Sequence, residues 1–163
     1  MIENNPYAPP NAVVEDVTPL QSAPPLWNPN AAASWSLLLS PIFGSVLHMK
    51  NWNAMGEPTK AAESKRWAIG SVTFFVVFLV ASVVLPESKA VDGLGRLAAL
   101  VLLIAWYYAS GKRQNAFVLS RYGKGYPRRG WAKPLSLALL AFAGLIVLAV
   151  LVGVVAGILA GTA

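Results

Sequence analysis

Hydrophobic positions gather into four stretches, about residues 31–49, 67–85, 94–110 and 134–161, with polar and charged segments between them. A helix rises 1.5 Å per residue, so crossing a bilayer core of about 30 Å takes about 20 apolar residues. The pattern therefore predicts an all-α integral membrane domain over 31–163 with four transmembrane helices. In the second stretch the run Val72-Thr73-Phe74-Phe75-Val76-Val77-Phe78-Leu79-Val80 has the composition of a strand. Its length decides for a spanning helix, because buried strands are much shorter. Arg96 lies near the start of the third stretch, where its stem can reach the interface.

The first stretch departs from the other three. It holds Ser34, Ser36, Ser40 and Ser45, with Pro41 in mid-span. Proline lacks an N–H and its ring collides with the preceding turn, so Pro41 should bend this helix. Ala32, Ser36, Ser40, Gly44 and His48 recur every four residues, forming a narrow stripe of small and polar groups that lets another backbone approach closely. Ser36, Ser40 and Gly44 are thus helix-packing candidates. The alternative is that Pro41 turns the segment back as a re-entrant hairpin. The fourth stretch repeats the four-residue stripe with Ala149, Gly153, Gly157 and Gly161.

Residues 1–30 contain seven prolines and the acids Glu3, Glu15 and Asp16. Such a stretch favours extended conformations and is expected to be a disordered tail. It has no basic start or apolar run resembling a secretory leader.

Composition supports the membrane reading. Hydrophobic residues make up 56% of the chain and charged residues only 12%, about half the charged share of a soluble domain. The net charge of +6 does not point to nucleic acid, since the basic residues lie between apolar runs. Lys50, Lys60, Lys65 and Arg66 fall between helices one and two; Lys112, Arg113, Arg121, Lys124, Arg128, Arg129 and Lys133 fall between three and four. With four crossings both loops share one side, cytoplasmic by the positive-inside bias, and the tail and C-terminus lie outside. Trp52, Trp67, Trp106 and Trp131 are expected as interfacial anchors at the basic side, with Trp27 and Trp35 at the other.

Candidate chemistry is sparse. No cysteine is present, which excludes thiolate ligands and nucleophiles. His48 is the only histidine, and a metal site needs several ligands. Glu57 and Glu63 share a loop with lysines and are not paired for acid–base work. In Arg121-Tyr122-Gly123-Lys124-Gly125-Tyr126-Pro127-Arg128-Arg129-Gly130-Trp131 the glycine spacing of a phosphate loop is missing. Arg121, Lys124, Arg128 and Arg129 instead suit anionic lipid headgroups, each basic residue contributing about 1 kcal/mol, or a protein partner.

The opening Asn5-Pro6-Tyr7-Ala8-Pro9-Pro10 and the stretch from Gln114-Asn115 to Arg128-Arg129-Gly130-Trp131 resemble small uncharacterised inner-membrane proteins of Gram-negative bacteria. The resemblance implies a bacterial inner membrane and brings no functional residue. The expectation is a non-enzymatic scaffold or accessory subunit without a cofactor, acting through helix packing with a partner or a second copy. A small oligomeric channel or transporter, and an immunity-type protein against a membrane-inserting toxin, are the alternatives.

Overall fold

A computed structural model describes residues 22–84 and 88–161. Its first two helices, α1 (Pro29–Leu39) and α2 (Pro41–Ala54), divide the first apolar stretch. Asn28 starts α1 by accepting from the amides of Asn30 and Ala31 at 3.0 and 3.2 Å, with Pro29 in the first turn, where its missing N–H costs nothing. Pro41 then ends α1, because the residue before a proline is driven out of the helical region. Ser40 takes φ 81° and ψ 161°, and the chain reverses. The end of α2 returns to the start of α1: His48 Nε2 lies 3.3 Å from the Pro29 carbonyl oxygen.

The expectation of one bent helix over 31–49 is therefore corrected: the segment is a hairpin of two short helices. The helices have 11 and 14 residues, or about 16 and 21 Å, each short of a bilayer core of about 30 Å. The small-residue stripe is what permits the reversal. Ser36 and Gly44 stand four residues either side of Ser40, and a Cβ at Gly44 would fall on the Ser36 hydroxyl. The backbone that the stripe admits is its own continuation.

The Ser40 conformation is one that glycine adopts freely and other residues at a cost of about 1–3 kcal/mol. Ser40→Gly should stabilise the protein by about 1 kcal/mol, part of the relief being offset by the greater freedom of unfolded glycine. Thermal unfolding in mild detergent would register it as a raised midpoint.

Three longer elements follow. Gly56 closes α2 at φ 74°, with the Glu57 amide donating to the Trp52 carbonyl at 2.9 Å, and Pro58 opens α3 (Pro58–Val84). α4 (Lys89–Trp106) continues through a π-helical turn, Tyr107–Gly111, into α5 (Lys112–Tyr122); α6 covers Ala132–Gly161. Three helices, Pro58–Ser82, Lys89–Tyr122 and Ala132–Val155, are long and apolar enough to cross a membrane. Among the described residues the fold is all-helical, with three such helices where the sequence pattern predicts four. The first of them begins before its expected bounds of 67–85, and the next extends past 94–110 at both ends. The α4–α5 rod has 34 residues, about 51 Å, well over the roughly 30 Å of a bilayer core.

Packing centres on α2. Its most extensive neighbour is α3, whose buried face carries Ala61, Ser64 and Ser71, small side chains that allow close approach. α3 and α4 touch where the Phe78 ring covers Gly95.

Candidate functional site

At the basic end, five segments converge on one apolar core. Leu26 comes from the segment before α1, Trp52 and Met55 from the end of α2, and Ala61 from the start of α3. Val118 and Tyr122 come from α5, and Tyr126 from the segment before α6; all are buried. The expected loops thus form an ordered cap. Leu26 is bridged in parallel to Arg128: its amide donates to the Pro127 carbonyl at 3.0 Å, and its own carbonyl accepts from the Arg129 amide at 2.8 Å. The end of the expected disordered tail is therefore structured from residue 22 onward, while the rest of that tail, 1–21, lies outside the described residues.

This pairing sets the segment 22–28 against the second basic stretch, whereas the four-crossing pattern expects the segment before the first helix apart from it. Trp27 is part of this segment. Its indole N–H donates to the Gly130 carbonyl at 3.0 Å, its ring packs with Ala32, Leu47 and Trp131, and the Arg129 guanidinium lies 4.7 Å from its ring centroid. Two of the expected interfacial anchors are core residues. Trp106 is 0% exposed and Trp52 5%, because the hairpin and α5 cover them. Trp67 and Trp131 remain partly exposed.

Beneath the cap lies a buried polar cluster centred on Asn51. Its side-chain amide reads the Trp27 backbone in both directions, accepting from the N–H at 3.0 Å and donating to the C=O at 2.8 Å. The same Nδ2 donates to Gln114 Oε1 at 3.1 Å, and Gln114 Nε2 donates to the His48 carbonyl at 2.9 Å. Each of these groups would cost about 1–3 kcal/mol if buried without a partner. The cluster therefore locks the segment before α1, α2 and α5 into one arrangement. Position on α5 explains Gln114, which repeats with Val118 and Tyr122 at four-residue intervals on its buried face.

The His48 ring stacks on Trp106, centroids 5.5 Å apart. If Nε2 donates to the Pro29 carbonyl, Nδ1 has no partner among the described residues. Burial lowers the His48 pKa from 6.5 to about 4, so the ring is neutral at pH 7. The unfolded chain binds the proton more tightly, so the stability contributed is complete above pH 6.5 and falls as pH drops toward 4. With a single histidine in the sequence, thermal midpoints measured between pH 7 and 4.5 should decline, and His48→Gln should flatten that decline.

The basic candidates divide by engagement. Arg121 pairs with Glu57 at 3.2 Å, and Glu57 also holds Lys60 at 3.3 Å. Arg129 donates from Nε to the Pro25 carbonyl at 2.9 Å, and Arg128 covers Tyr126 at 5.6 Å. Lys124 is exposed. No group of His, Asp and Glu among the described residues could hold a metal ion. Ser36 is 1% exposed and donates to the Ala32 carbonyl at 2.8 Å. On α6, Gly153, Gly157 and Gly161 meet no atom within 4 Å of a built Cβ, so their stripe has no partner among the described residues; the Ala149 side chain lies outside them. Comparison with protein-family models, curated proteins and solved structures returns no match for this chain.

Proposed function

We propose that the chain is a non-enzymatic scaffold or accessory subunit of a membrane assembly, holding a rigid basic cap at the cytoplasmic face of a bacterial inner membrane. The observation that carries this reading is the use made of the buried polar groups. Asn51 and Gln114 are engaged by main-chain groups and by each other, which suits a device that fixes shape. The positive-inside bias assigns the cap to the cytoplasm. Lys65, Arg66, Arg113 and Lys124, all exposed, are its contact points for anionic headgroups or an acidic partner. The bare apolar length of α6, with its glycine stripe, offers a second copy or a partner helix close approach.

The channel reading rests on a serine-lined path through the first helix; the burial of Ser36, whose hydroxyl donates to the Ala32 carbonyl, favours the scaffold reading over it. Crosslinking in native membranes, followed by purification under mild conditions, tests the proposal. A defined partner or a second copy is the expected product. Recovery of the monomer alone would count against it.

A further inference from the structure

α1 and the α4–α5 rod meet at the cap and part toward the hairpin tip. Near the cap they are close, since a Cβ at Gly111 would stand 3.8 Å from the Ala33 Cβ. Away from it they leave a groove of about 320 Å³, at the lower end of the roughly 300–1,000 Å³ of small-molecule sites. The two walls change character together along its length. At the cap end stand Asn30, Ser34 and Tyr108; toward the tip the walls are Leu37, Leu100 and Leu103. Lys112 stands one turn beyond Tyr108 on the rod, outside the groove's walls, with its ammonium 5.5 Å from the Tyr108 ring centroid. Leu37 is 70% exposed and Leu100 52%.

We infer that this groove is a binding site for one anionic phospholipid. The acyl chain lies along Leu37, Leu100 and Leu103, and the headgroup phosphate sits at Lys112 with Asn30, Ser34 and Tyr108 as hydrogen-bonding partners. The polarity of the groove matches that of a lipid entering from the basic side, and Lys112 supplies the charge complement. A partner helix would not call for hydrogen-bonding groups and an ammonium confined to one end. The site is separate from the general attraction of lipids to the 121–131 stretch. It rests on the membrane reading, since only a chain embedded in a bilayer presents the groove to lipid.

Native mass spectrometry of the full chain, released from mild detergent with phosphatidylglycerol or phosphatidylcholine, tests it. One phosphatidylglycerol should be retained at least tenfold more strongly than phosphatidylcholine. Lys112→Ala should abolish that preference, and Ser34→Phe, a substitution at an exposed position, should abolish retention by filling the groove. Leu151→Phe on α6 should change nothing. Equal retention of the two lipids would overturn the inference, as would undiminished retention in Ser34→Phe. A photo-crosslinker at Ser34 that captures a protein instead of lipid would likewise overturn it. A chain extracted from membranes by alkaline carbonate would instead fail the membrane reading itself.

Discussion

Asn51→Leu should lower the unfolding free energy by about 3–5 kcal/mol, the largest effect expected of any single substitution in this chain. The change keeps the branching of the asparagine side chain at Cγ while replacing its polar groups with bulkier methyls. It leaves the Trp27 N–H, the Trp27 C=O and the Gln114 Oε1 without their present partners, each buried group costing about 1–3 kcal/mol when unpaired. The segment 22–28 should then loosen from the cap, because its remaining ties are the bridge and core packing of Leu26 and the contacts of Trp27 and Arg129. Denaturant unfolding in mild detergent gives the loss, and limited proteolysis between residues 22 and 28 gives its location. Unchanged stability with the segment still protected would mean that the polar cluster does not hold the cap together.

Gly44→Val is expected to cost about 3 kcal/mol, the upper end of ordinary overpacking. The added carbons collide with the Ser36 hydroxyl and with the Trp106 ring. Neither can yield easily: Ser36 belongs to the other arm of the hairpin, and Trp106 is fully buried against His48. The hairpin should lift from α4, moving Trp106 into a different environment and shifting its fluorescence. Gly153→Val on α6 is the matched control. No neighbouring side chain or element among the described residues lies within 4 Å there, so the monomer should keep its stability, and any loss would appear in association with a partner.

Much of this fold is written in hydropathy, and the departures have definite causes. α3, α4 and α6 are legible because each contains a long run without interior charge. Their true ends are not, because a helix that leaves the bilayer keeps its hydrogen bonds and changes only its side chains. The continuation Lys112–Tyr122 is polar on average, and its signal is the face Gln114, Val118, Tyr122. The hairpin was signalled by Pro41 and the stripe around Ser40, but the same stripe suits packing against any helix. Length separates the cases only once the reversal at Ser40 is known. The position of the segment 22–28 depends on the same reversal, since a continuous first helix would carry it away from the basic stretches. Asn51 left no pattern to find. Two of its three hydrogen bonds go to the backbone of Trp27, and a backbone has no residue type to read.

The central claim is that the α1–α2 hairpin does not cross, so that the segment before α1 and both basic stretches share one face while α6 ends on the other. The chain has no cysteine, so single reporters need no background removal. Ser22→Cys, Lys65→Cys, Lys124→Cys and Gly161→Cys would each be labelled with a membrane-impermeant maleimide in right-side-out and inverted vesicles. The account predicts that positions 22, 65 and 124 label from the same side and position 161 from the opposite side. Labelling of 22 together with 161, and apart from 65 and 124, would show that the first apolar segment crosses the membrane, contradicting the account.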